Sequence, residues 1–227
     1  MSAAFFVTGT DTEIGKTTIA AGLLHAARQR GLSTAAAKPV ASGCVISADG
    51  LRNDDALALL GECTLALRYE EVNPLAFAPA IAPHLAAREA GVVLDVAALR
   101  GPVQRVLDKG ADFTLVEGAG GWGVPLAGTA TLSDLVISLQ LPVILVVGVR
   151  LGCINQALLT AEAIARDGLL LAGWVANVVD PHTARLEENL ATLAERLPAP
   201  CLGRVPRLDA ATPELVAGYL DLNALGV

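Results

Sequence analysis

The chain has 227 residues, a length that suits one α/β domain, and 53% of them are hydrophobic against 17% charged, which supplies a core and excludes intrinsic disorder. A formal net charge of −7 excludes the broad basic face that nonspecific nucleic-acid binding requires. The start Met1-Ser-Ala-Ala-Phe-Phe has no basic n-region, and Cys44, Cys63, Cys153 and Cys201 are too scattered for a metal site or disulfide framework, so a reducing cytoplasm is expected.

Ala4 to Thr8 predicts a strand ending at a glycine, and Thr17 to Arg30, rich in alanine and leucine and closed by Gly31, predicts a helix. Thr34 to Val40 reads as a strand of small residues carrying Lys38 near its end. A polar stretch through Arg52 follows as a candidate site loop, then a helix from Asp54 to Leu60. Leu67 to His84, rich in proline and alanine, reads as an irregular connection before a helix over Val96 to Lys109. Strands are expected at Phe113 to Glu117, Val143 to Val149 and Leu169 to Val175, with helices at Asn155 to Arg166 and Thr183 to Leu197. The run Val143 to Val149 falls far short of the roughly 20 residues that span a bilayer, so it reads as a buried strand and no membrane association is expected. An apolar segment near Leu202 to Val205 and a short helix after Pro213 complete the pattern. The alternation predicts a single domain over 1–227 of the α/β class, a mostly parallel sheet in three layers with helices on both faces.

Between the first strand and helix lies Gly9-Thr-Asp-Thr-Glu-Ile-Gly-Lys-Thr-Thr18. A glycine-rich turn opening a helix aims unpaired backbone N–H groups at one point, where the helix dipole adds positive charge, and phosphates bind such points. Lys16 can then reach the terminal phosphates and the Thr17 hydroxyl can coordinate Mg²⁺. Five residues separate Gly9 from Gly15, one more than the usual phosphate loop has. The metal needs further oxygen ligands. Glu117 is one candidate, because it ends an apolar strand and leads into Gly118-Ala119-Gly120-Gly121 at the edge where open α/β sheets bind ligands. Asp54 and Asp55 are others, with helix capping the competing role. Lys38 in an apolar strand calls for a partner or an edge position, and Ser42 could bond a ligand or complete a turn.

The combination of that loop with Lys38-Pro-Val-Ala-Ser-Gly43, Arg52-Asn-Asp-Asp55 and Val116-Glu-Gly-Ala-Gly-Gly-Trp122 closely resembles dethiobiotin synthetases. Leu141 to Asn155 and Ala172-Gly-Trp-Val-Ala-Asn177 extend the resemblance over nearly the whole chain. That family carries the longer loop, so the extra residue is part of the match. The resemblance implies a phosphate-loop NTPase-like fold and closure of 7,8-diaminononanoate with CO₂ to dethiobiotin, giving ADP and phosphate from ATP through a carbamate and its mixed anhydride with phosphate. It implies that Glu13, Ile14, Gly15, Lys16, Thr17 and Thr18 line the phosphates, that Gly118, Ala119 and Gly120 belong to the same site, and that Thr17, Asp55 and Glu117 hold Mg²⁺. Lys16, Lys38 and Thr12 would be catalytic, with Thr12, Lys38 and Ser42 at the substrate. Asn177 would contact adenine, Pro206, Arg207 and Leu208 would flank it, and Glu214 would be a further nucleotide contact; Arg207 differs from the aromatic of some members. Gly152, Cys153, Ile154 and Asn155 open a helix whose free N–H groups suit the substrate carboxylate. In the family this helix end comes from the neighbouring subunit, implying a homodimer with composite sites. The competing class is a switch ATPase of the chromosome-partitioning type, which typically carries an extra lysine where this loop has Thr10 and Asp11.

Overall fold

The computed structural model describes residues 2–227. In chain order, β1 (Ala3–Gly9) leads through the phosphate loop into α1 (Lys16–Gln29) and then β2 (Thr34–Ala37). The short β3 (Val40–Ala41) follows, and then a hairpin of β4 (Val45–Ser47) and β5 (Gly50–Arg52). Next come α2 (Asp54–Gly61), α3 (Tyr69–Val72), β6 (Leu75–Ala76), α4 (Pro83–Glu89) and α5 (Val96–Leu107). The second half alternates as β7 (Phe113–Glu117), α6 (Leu132–Leu139), β8 (Val143–Val149), α7 (Cys153–Arg166), β9 (Leu171–Val178), α8 (Leu186–Arg196), β10 (Cys201–Val205) and α9 (Pro213–Ala217).

Six strands form one sheet in the order β10-β9-β8-β1-β7-β2, and every pairing is parallel. Alternation along the strands divides the core in two. Phe6, Val116, Leu145 and Val147 pack into the cluster on one face, whereas Phe5, Val7, Leu115, Ile144 and Val146 pack on the other. Every residue of β8 is buried, as expected of a central strand covered by helices on both sides. From β1 the chain crosses to the edge strand β2, and β7 later inserts between them. The carboxyl ends of β1, β7 and β2 therefore lie side by side, and in open α/β sheets ligands bind outside those ends.

Four departures from the expected elements bear on the site. β2 stops at Ala37 rather than running to Val40; Pro39 has no N–H to continue the ladder, and the Lys38 N–H instead donates to Val72 O at 2.7 Å. The stretch from 67 to 84 is not wholly irregular, since it holds α3, β6 and the start of α4. β9 runs on to Val178 and carries Asn177 within the strand. Helix α6 is unanticipated, although Thr131 and Asp134 form a capping box at its start and Leu132, Leu135, Val136 and Leu139 follow at helical spacing, both readable signals.

Candidate active site

The phosphate loop is shaped by two residues in the left-handed region, Glu13 at φ 57° and Gly15 at φ 81°. Between them Ile14 turns inward, 1% exposed, and packs where a Cβ on Gly148 would stand only 2.5 Å from its Cγ2. The Ile14 carbonyl accepts from Asn177 Nδ2 at 2.7 Å, so β9 holds the loop from behind. At the tip, the Thr12 N–H donates to Asp11 Oδ1 at 2.8 Å, Arg150 pairs with Asp11 Oδ2, and Lys16 Nζ donates to Asp11 O at 3.0 Å. Gly15 caps α1 without a side chain, leaving the helix start open to an anion.

Opposite this loop sits a cluster of buried charge. Glu117 is 1% exposed and Lys38 4%, values that charged residues reach only when paired. Lys38 Nζ donates to Glu117 Oε1 at 2.6 Å and lies 2.9 Å from Asp55 Oδ2. The Thr17 hydroxyl donates to the same Glu117 Oε1 at 2.8 Å. Glu117 Oε2 is buried and takes no hydrogen bond among the described residues. Burial would lower the Lys38 pKa, but Glu117 and Asp55 outweigh it and hold it above the ordinary lysine value. Burial likewise works against the Asp55 charge, and Lys38 overrides it to keep the carboxyl below its usual range. Lys16 differs, because burial pushes its pKa down further than Glu117 pulls it up.

A cleft of about 720 Å³ collects Thr12, Glu13, Gly15, Lys16, Thr17, Thr18, Lys38, Ser42, Asp55, Glu117, Gly118, Ala119 and Gly120 from segments far apart in sequence. A smaller hollow of about 130 Å³ continues past Glu13, Gly15 and Thr18 to Asn177, Pro206, Arg207 and Leu208. The structure separates the two aspartates, since Asp55 meets Lys38 while Asp54 is exposed. The cap of α2 is neither of them; Asn53 Oδ1 accepts from the Ala56 N–H at 3.2 Å. Some expected residues stay apart from the cleft. Glu214 is exposed in the first turn of α9 and lines neither hollow. Gly152 to Asn155 line neither, and the Cys153 side chain is turned into the core at 1% exposure, so at most its backbone could meet a ligand. Ala80, Ile81, Ala82 and Val124 line the cleft unanticipated, being apolar residues of irregular segments with no local signal.

A family model described as an AAA domain matches residues 3–215. An ATP-dependent dethiobiotin synthetase BioD of Pseudomonas aeruginosa is 78% identical over 224 residues, covering 99% of this chain and 98% of that protein. The chain belongs to the dethiobiotin synthetase family. Another dethiobiotin synthetase, from Cellvibrio japonicus, is 59% identical over 222 residues, covering 98% of this chain and 97% of that protein. Membership places the chain among ATP-dependent enzymes of the ligase type. Among solved structures, a ParA family ATPase from Chlorobium tepidum has a TM-score of 0.55 at 13% identity over 100% of this chain and 94% of that one. MinD in its complex with MinC from Aquifex aeolicus has a TM-score of 0.56 at 14% identity, covering 95% and 86%. These two share the fold with the dethiobiotin synthetases, and the likeness extends no further.

Proposed function

We propose that the cleft closes 7,8-diaminononanoate with CO₂ to the cyclic urea dethiobiotin at the expense of ATP. The observation that carries this reading is the Lys38 ammonium, buried between Glu117 and Asp55 and lining one cleft with the phosphate loop. A fixed cation there favours the negative charge that develops when a phosphoryl group moves to a carbamate oxygen.

The chemistry asks for no covalent enzyme intermediate. One substrate amine adds to CO₂ and loses a proton, giving a carbamate. The carbamate oxygen attacks the γ-phosphorus of ATP and ADP departs with the bridging oxygen. The second amine then attacks the carbonyl carbon and loses a proton, and phosphate leaves with the C–O electron pair. The protein positions reactants and stabilises charge, the usual division of labour in phosphoryl transfer. Lys16 and Lys38 would face the transferring phosphoryl group, and Thr12, Lys38 and Ser42 the substrate end. Asn177 with Pro206 to Leu208 would hold the adenine, in the smaller hollow that adjoins the loop.

The donor set fits a magnesium ion. Glu117 Oε2 is a buried carboxylate oxygen with no bond among the described residues, and with Asp55 and the Thr17 hydroxyl it offers the hard oxygens this ion takes. When bound, Mg²⁺ would neutralise phosphate charge. We further infer a homodimer in which Gly152 to Asn155 of one copy serve the cleft of the other, since they line neither the cleft nor the adjoining hollow of their own chain. No helix of the described residues is long and apolar enough to cross a membrane, which suits a cytoplasmic enzyme.

Purified protein supplied with MgATP, bicarbonate and 7,8-diaminononanoate should yield dethiobiotin by mass spectrometry. ATP turnover without that product would overturn the reading.

A further inference from the structure

We propose that Tyr69 and Asn73 are positioning residues that fix Lys38 and Asp55 relative to one another. The proposal rests on the function proposed above, in which those two charges meet at the site of phosphoryl transfer. Neither residue lines the cleft. Both are buried, Tyr69 at 8% and Asn73 at 3% exposure, and they stand one turn apart on α3 and its C-terminal cap.

The hydrogen bonds leave little choice of arrangement. Asn73 Nδ2 lies 2.8 Å from Lys38 O and 3.3 Å from Leu75 O. Two carbonyls can be served only by an NH₂ group, so the orientation of the amide is fixed. Its Oδ1 must then accept, and the Tyr69 hydroxyl donates to it at 3.0 Å. That commits the phenol's proton and leaves a lone pair, which takes the Asn53 N–H at 2.8 Å. Asn53 is the N-cap of α2, and two residues later Asp55 reaches the Lys38 ammonium at 2.9 Å. The circuit closes on itself. It runs from the Lys38 ammonium through Asp55 and the start of α2 to the Tyr69 hydroxyl, and returns through Asn73 to the Lys38 carbonyl.

Such a circuit is needed because the sheet releases its hold just before the lysine. β2 ends at Ala37, Pro39 donates nothing, and the main chain of Lys38 is gripped instead by the α3 segment, its N–H by Val72 O and its carbonyl by Asn73. Outside, the Arg52 guanidinium lies 4.2 Å over the Tyr69 ring and shields the network from water, where hydrogen bonds are weaker. Removing the Tyr69 hydroxyl strands two buried partners at once, Asn53 N–H and Asn73 Oδ1. The start of α2 is then free to shift against Lys38, and displacements of about 1 Å cost rate rather than binding.

The test compares Tyr69→Phe, Asn73→Ala and the double variant in the full chain, measuring dethiobiotin formation at steady state and ATP affinity by equilibrium titration without diaminononanoate. We expect each single variant to lower kcat by about tenfold or more, with ATP affinity near wild type. The double variant should be no slower than the slower single, because the two residues act as one unit. Leu193→Ala, in the core at α8 and remote from this network, serves as the control for lost stability and should keep the wild-type kcat. A folded Tyr69→Phe with wild-type kcat, additive losses in the double variant, or an equal fall in Leu193→Ala would each overturn the proposal. Tyr69→Phe keeps the ring and its Arg52 contact, so it decides the matter should Asn73→Ala fail to fold. Absence of dethiobiotin from the wild-type protein would overturn the proposed function itself, a distinct result from product formation that Tyr69→Phe leaves unchanged.

Discussion

Replacing Lys38 by methionine should damage the fold as well as the chemistry, and the two effects can be separated. In the folded chain the Glu117 carboxylate is 1% exposed and is held by Lys38 Nζ at 2.6 Å and by the Thr17 hydroxyl at 2.8 Å. Methionine fills the space but leaves a buried carboxylate with one neutral donor, a loss of about 3–5 kcal/mol when a buried pair is broken from one side. For a chain of this size that corresponds to a fall in Tm of roughly 6–20 °C, measured by calorimetry without nucleotide or metal. Asp55, the other partner of Lys38, is 47% exposed and can turn to water, so Glu117 carries most of the cost. The double variant Lys38→Met/Glu117→Gln should therefore recover most of the lost stability, since a neutral amide at 117 still accepts from Thr17. Activity should not return, because the cation at the site is still missing, and kcat should stay about a hundredfold or more below wild type. A Lys38→Met protein with the wild-type Tm, or a double variant no more stable than the single, would refute this account of the buried cluster.

Three further outcomes follow from other contacts. Gly15→Ala places a methyl 2.4 Å from Asn177 Nδ2 at a φ of 81°, which costs about 1–2 kcal/mol in backbone strain alone and displaces the amide that holds Ile14; isothermal titration should show ATP affinity reduced by more than about tenfold, and unchanged affinity would count against the loop geometry. Glu71 has its carboxyl pulled down to about 2 by the Arg68 backbone N–H and Lys109; a folded pKa below the unfolded one gives stability that is present above about pH 4.5 and is lost as pH falls towards 2. Because the group is near the surface the effect should stay below about 1 kcal/mol, and Glu71→Gln should flatten that part of the acid-denaturation curve. Arg150→Met should leave Tm nearly unchanged, as its pair with Asp11 is two-fifths exposed, yet raise the KM for diaminononanoate severalfold by loosening the turn that carries Thr12, with Arg150→Lys restoring it; a KM unmoved by Arg150→Met would remove this residue from substrate positioning.

Features read from sequence with success are those written in short contiguous stretches. The phosphate loop announces itself because strand, glycines, lysine, hydroxyl and helix must follow one another directly for backbone N–H groups to converge. Glu117 was legible for a similar reason, as the polar end of an apolar strand beside glycines. The expected strand through Val40 failed at Lys38-Pro39 because the bonds that stop it come from Val72 and Asn73, more than thirty positions away in sequence. Helix α6 has apolar residues at helical spacing, Leu132, Leu135, Val136 and Leu139, with Ser133, Asp134 and Ser138 polar, but it is only eight residues long, fewer than the roughly 11 over which a helical period is best read.

By itself, then, the sequence determines that a triphosphate loop exists, which strands build the sheet, and, through its ordered motifs, which family the chain belongs to. What only the tertiary structure decides is how the charges pair. Lys38 meets Glu117 across 79 positions and Thr17 meets Glu117 across 100, and no local pattern encodes such distances. The family motif already pointed to Asp55 over Asp54, but that Asp55 meets the Lys38 ammonium depends on which way α2 is turned, with Asn53 as its cap and the Tyr69 hydroxyl on the Asn53 N–H. Propensity and periodicity act over a few residues, whereas burial of a charge depends on every element packed around it, so the chemistry of the cleft becomes legible only once the sheet has brought its strand ends together.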